Sequence, residues 1–97
     1  GTSAGSPQWA GLAAIGAQFA HHRLGAINDD LYALGASRKA RSLFHDITGG
    51  NNAFTYNAGN DDFVTVPGYA AKKGWDPATG WGSPIASALV PALARRA

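Results

Sequence analysis

The chain has 97 residues, enough for one small domain; 45% of them are apolar and only 14% charged, against roughly 25% charged in ordinary soluble domains. Its net charge of +2 is scattered apart from Arg38-Lys39-Arg41 and Arg95-Arg96, too weak a field for a nucleic-acid partner. There is no cysteine, which excludes a disulfide framework and a thiolate metal site and leaves the compartment open.

The first twenty residues carry no charge, but Pro7, Gln8, Gln18 and the glycines make them poor material for a membrane span. Trp9, Leu12, Ile15 and Phe19 follow one another at spacings of three and four, which predicts a helix over about 3–22 with Pro7 in its first turn. The other faces of that helix carry Ala10, Gly11, Ala13, Ala14, Gly16 and Ala17. A helix apolar or small all round is normally packed on every side. A chain of this length can hardly enclose it, so neighbours beyond these residues are expected.

Asn28 or Asp29 is predicted to cap a helix over 28–35 that Gly35 ends, and Ser37 to begin a further turn toward Leu43. The Gly-, Asn- and Asp-rich stretch from Gly49 to Asp62 reads as a loop with turns. Phe63–Val66 reads as a short strand closed by Pro67-Gly68. Ser83-Pro84 is expected to open a last helix over 83–95, whose terminal Arg95 and Arg96 suit the C-terminal dipole. The predicted class is α/β, mainly helical, with a long loop region and little strand. No signal peptide, repeat or interdomain linker is visible.

Few residues suggest chemistry. Ser3 stands beside Gly1 at the start of a helix, where free backbone N–H groups favour a developing oxyanion; Ser3 or Thr2 as a plain helix cap is the other reading. Asp46 and Asp76, each in flexible backbone, offer the hard oxygen ligands calcium takes, or serve only as turn and cap residues. His21 and His22 diverge as neighbours on a helix and read as solvent-facing. Asp29-Asp30 and Asp61-Asp62 read as caps or solvated loop pairs. Trp75 and Trp81 flank the Asp76 turn, where packing is the default role for their rings.

The string Gly1-Thr2-Ser3-Ala4-Gly5-Ser6-Pro7 resembles the nucleophile segment of the sedolisins, the serine-carboxyl peptidases, whose signature is Ser-Gly-Thr-Ser, three variable residues and Pro. Its first Ser would lie one residue before Gly1. Subtilisins share the Gly-Thr-Ser part. Phe44-His45-Asp46-Ile47-Thr48-Gly49-Gly50-Asn51-Asn52, followed by Gly74-Trp75-Asp76-Pro77-Ala78-Thr79-Gly80-Trp81-Gly82-Ser83-Pro84, is similar to the calcium-site region and closing segment of sedolisins.

The resemblance implies that residues 1–97 form one fragment from the C-terminal portion of a subtilisin-like α/β catalytic domain, with Ser3 as nucleophile. It implies one Ca2+ ion held by the carboxylates of Asp46 and Asp76 and the carbonyls of Ile47, Lys72 and Gly74, the family often having glycine where Lys72 stands. The activating Glu, its supporting Asp and the oxyanion Asp of sedolisins lie upstream of the nucleophile. This chain contains no glutamate, and none of its aspartates matches those positions.

The expected function is therefore a fragment of an extracellular endopeptidase that hydrolyses peptide bonds through an acyl-enzyme at acidic pH, inactive in isolation. Its expected partners are the rest of the catalytic domain and a peptide or protein substrate, with no nucleic acid and no membrane. The alternative is a non-catalytic, calcium-stabilised or self-associating module from a peptidase gene.

Overall fold

A computed structural model describes all residues, Gly1–Ala97. The elements in chain order are α1 (Thr2–Ala20), α2 (Asn28–Gly35), α3 (Ala40–Leu43), β1 (Phe44–His45), β2 (Phe54–Asn57), β3 (Phe63–Val66), β4 (Ser83–Pro84) and α4 (Ala86–Arg96), with β1 paired to β4 and β2 to β3. The chain divides into two units, Gly1–His45 with Pro84–Ala97, and Asp46–Ser83. No helix is long and apolar enough to cross a membrane.

The core of the first unit is built on α4. Leu89 and Leu93, one turn apart, are fully buried with Val90 and Ala92, and Leu34, Leu43 and Phe44 close the cluster from α2, α3 and β1. The Ile85 N–H donates to the Leu43 carbonyl at 2.8 Å, fixing where α4 begins. Ser83-Pro84 is strand, Ile85 is the N-cap without a side-chain bond, and Pro91 lies inside the helix. The expected capped start at Ser83 is thus corrected: the Pro that follows it serves an extended backbone.

Helix α1 packs on α4, yet Gly16 is its only buried residue. A Cβ at Gly16 would lie 2.7 Å from Leu24 Cδ1, so the close approach there needs glycine or a shifted leucine. Ile15 and Phe19 remain 47% and 59% exposed. The all-round cover expected for this helix is not supplied by the 97 residues. His21, in the left-handed region at φ 62, ends the helix with its N–H on the Gln18 carbonyl.

Helix α2 spans the predicted residues, but Ile27, not Asn28 or Asp29, is its N-cap. Asp29 and Asp30 instead occupy the first turn, where the helix dipole favours a negative charge. Ser37 links α2 to α3: its hydroxyl donates to the Leu34 carbonyl at 2.6 Å and accepts the Lys39 N–H at 3.2 Å.

In the second unit, part of the predicted Gly49–Asp62 loop is strand. β2 pairs antiparallel with β3 in the register Phe54↔Val66, Thr55↔Thr65, Tyr56↔Val64 and Asn57↔Phe63. The Phe54 and Tyr56 rings stack at 6.2 Å on one face, and the Thr55 and Thr65 hydroxyls share a 2.8 Å bond on the other. The connecting turn places Asn60 and Asp61 at φ 51 and 61, where Asn and Asp are among the residues that tolerate left-handed backbone.

Gly68 anchors the base of this hairpin. It has φ +61, and a Cβ there would strike the Asn52 side-chain oxygen and lie 2.9 Å from the Ala53 nitrogen. Asn52 cannot retreat freely, because its Oδ1 accepts the Tyr69 N–H at 2.6 Å. Gly68→Ala is therefore expected to destabilise the protein by about 1–3 kcal/mol, read from the urea midpoint; an unchanged midpoint would contradict the crowding.

Candidate active site

Ser3 is the second residue of α1 and is exposed. Gly1 is the N-cap, so the plain capping role open to Thr2 or Ser3 is not the one they take. Near the start of a helix, backbone N–H groups lack intrahelical acceptors and form the positive end of the dipole. Exposed Ser3 thus stands at the positive end of the helix dipole, where negative charge is favoured.

Pro7 lies within the helix, beyond the first turn where it was expected. It has no N–H to offer the carbonyl four residues earlier, which is that of Ser3. The helix is accordingly loosened at the serine, and its first turn also uses a tight bond, Ala4 N–H to the Gly1 carbonyl at 3.1 Å.

A serine hydroxyl needs a base to become a useful nucleophile. His21 stands 18 residues further along α1, about 27 Å at 1.5 Å per residue. His22 is held elsewhere, with its Nδ1 donating to the Arg23 carbonyl at 2.8 Å. Asp30 is paired with Arg96 at 3.1 Å.

The second unit gathers the other singled-out residues. The Gly74 N–H donates to Asp46 Oδ2 at 2.7 Å, joining residues 28 positions apart, and the Lys72 N–H donates to Asp76 Oδ2 at 3.2 Å. Asp46, Lys72, Gly74 and Asp76 therefore meet at one pair of loops, with exposed Ile47 beside Asp46. Gly74 has φ 81, a conformation glycine reaches without strain.

Asp76 is fully buried within its own turn. Its Oδ1 accepts the N–H groups of Ala78 at 3.0 Å and Thr79 at 2.7 Å; its Oδ2 accepts the Thr79 hydroxyl at 2.7 Å as well as the Lys72 amide. The Thr79 hydroxyl bond most strongly holds the carboxyl below the ordinary value of 3.8; burial opposes it, and the amides of Thr79, Lys72 and Ala78 add to the lowering. A lowered folded value means that ionised Asp76 stabilises the fold above pH 3.8 and that this support is lost as pH falls below it. Thr79→Val should remove the largest cause, so the melting temperature of the variant should fall less steeply below pH 4 than that of the parent. Parallel profiles would contradict the assignment.

Two carboxylates and nearby carbonyls are the donor chemistry calcium takes. No group of three or more His, Cys, Asp or Glu side chains could hold a metal, so the backbone must supply much of any site. Asp46 accepts one bond and keeps lone pairs free. Asp76 has its roughly four acceptor positions filled, and a cation drawing on it must displace a donor, of which the Lys72 amide is the longest. Thr79 was not singled out from the sequence, although the spacing Asp76-Pro77-Ala78-Thr79 is the signal of a side chain closing its own turn.

The chain is 41% identical to kumamolisin of Bacillus sp. (strain MN-32) over 93 residues, which covers 96% of this chain and 14% of that protein. It is 40% identical to tripeptidyl-peptidase SED4 of Arthroderma otae over 96 residues, 87% of this chain and 15% of the relative. Tripeptidyl-peptidase 1 of Macaca fascicularis is 35% identical over 100 residues, 96% of this chain and 16% of the relative. The chain thus spans about a seventh of the length of these relatives. No family model and no solved structure matches it.

Proposed function

Because the chain belongs to the sedolisin family of peptidases, as do these relatives, we propose that it supplies the nucleophile and a calcium-stabilised loop to a longer serine-carboxyl endopeptidase of subtilisin-like fold. The observation that carries this reading is the exposed Ser3 in the first turn of α1, at the positive end of the helix dipole. Ser3 Oγ attacks the carbonyl carbon of the scissile bond, and its proton passes to a carboxylate base contributed by the parent protein. The amine leaves with a proton, water cleaves the resulting ester, and Ser3 is regenerated. The family resemblance supports an extracellular enzyme working at acidic pH on peptides or proteins.

The 97-residue chain alone is inactive on this reading, because it has no glutamate to activate the serine. The test is to assay the parent protein and the isolated chain on one chromogenic peptide at acidic pH. Turnover by the parent alone is expected. Comparable turnover by the isolated chain would place a base within these residues and overturn the assignment.

One Ca2+ ion is the fitting occupant of the second unit's loops, held by the Asp46 and Asp76 carboxylates and the carbonyls of Ile47, Lys72 and Gly74. It would supply a cross-link between the segment at 46–47 and the loop at 72–76, and no catalytic step. A second reading, a non-catalytic self-associating module, is favoured by the exposure of Ile15 and Phe19 on α1. Sedimentation separates the two: concentration-dependent dimers of a parent protein without peptidase activity would favour the module.

A further inference from the structure

The first unit holds a groove of about 450 Å³ between α3 and α4. Lys39, Arg95 and Arg96 all line it, with the Ser42 and Ser87 hydroxyl-bearing residues, over an apolar floor that includes Leu43 and Pro91. The helix dipole accounts for Arg95 and Arg96 at the end of α4. It does not account for Lys39, which reaches the same groove from the start of α3 and so adds a like charge to it. Arg96 is held by Asp30, its Nε 3.1 Å from the carboxylate, which leaves the rest of its guanidinium to donate.

The imbalance extends over the unit. Arg23, Arg38, Lys39, Arg41, Arg95 and Arg96 face only Asp29 and Asp30 as acidic side chains, whereas Asp46, Asp61, Asp62 and Asp76 all lie in the other unit. Cations converging on one groove repel unless an anion joins them. The occupant is therefore acidic.

Its length and apolar content can be read as well. Along α4 the lining runs from Ser87 to Arg96, about 13 Å at 1.5 Å per residue, the span of about four extended residues. The apolar part of the lining, Leu43 and Pro91, suits a peptide that carries an apolar side chain better than a simple anion.

We propose that the groove between α3 and α4 binds a short, extended acidic peptide segment of a partner protein, its carboxylates on Lys39, Arg95 and Arg96 and an apolar side chain over Leu43 and Pro91. This surface is independent of the chemistry at Ser3.

The test uses the parent protein with Ser3→Ala, so that no probe is hydrolysed, and the fluorescence anisotropy of labelled Glu-Leu-Glu-Glu-amide. Saturable binding is expected, weakening at least tenfold between 50 and 300 mM salt. Lys39→Gln and Arg95→Gln should each weaken it about fivefold with an unchanged circular dichroism spectrum. Lys-Leu-Lys-Lys-amide should not bind. Four results would each overturn the proposal: no binding at millimolar protein, equal binding of the basic peptide, variants that bind like the parent, or inorganic phosphate competing as strongly as unlabelled acidic peptide.

Discussion

Ser3→Ala in the parent protein is expected to lower kcat by about 10⁴-fold or more, while KM and the melting temperature stay within experimental error. The loss is large because on the proposed mechanism the hydroxyl itself forms the covalent intermediate. Stability should hold because Ser3 is exposed and alanine is the better helix former. The separation of kcat from KM matters: a serine that merely shaped the helix start would alter melting or substrate binding and leave turnover near normal. A kcat within tenfold of the parent would show that some other residue carries the reaction.

The second large effect concerns the loops of the Asp46–Ser83 unit. Calcium at about a hundred times its dissociation constant should stabilise the parent protein by about 2.7 kcal/mol, seen as a rise of its melting temperature. Asp76→Asn should abolish that rise and also lower the melting temperature without calcium. The amide retains one oxygen acceptor, but its NH2 must face backbone N–H donors that now meet carboxylate oxygen. Asp46→Asn should differ. Asp46 is exposed and its carboxylate accepts one bond, from Gly74, so the calcium response should weaken at least tenfold in affinity with little change in the metal-free melt. Equal behaviour of the two variants would mean that both aspartates only hold turns, and an unchanged melt of the parent in saturating calcium would remove the ion from this account.

How much of this could be read from the residues depended on whether local signals agreed. Helix α2 ends at Gly35, where glycine and the loss of apolar spacing coincide, and its bounds match the expectation. Helix α1 runs two residues short of the expected end because a left-handed His21 stops it, a role histidine does not advertise. Ser83-Pro84 carries a strong helix-start signal that an extended pairing overrides. Phe54-Thr55-Tyr56 lies among the Gly and Asn that read as loop, and its pairing with Phe63–Val66 makes it strand.

Chemistry divided along the same line. Ser3 at the head of a helix is a local arrangement and is legible in sequence. The meeting of Asp46 with Gly74 is a contact between distant residues, which spacing alone does not encode. The saturation of Asp76 by Thr79, Ala78 and Lys72 is a matter of where four donors point, and it explains why a carboxylate in a turn can look like a free ligand in sequence and be fully engaged in the fold.

The most direct measurement is to treat the active parent protein with a fluorophosphonate reagent, digest it with trypsin and locate the adduct by mass spectrometry. Loss of activity with a single phosphonyl group on Ser3, in the peptide that ends at Arg23, is the expected result. Inactivation with the adduct on any other residue would contradict the assignment of Ser3 as the nucleophile.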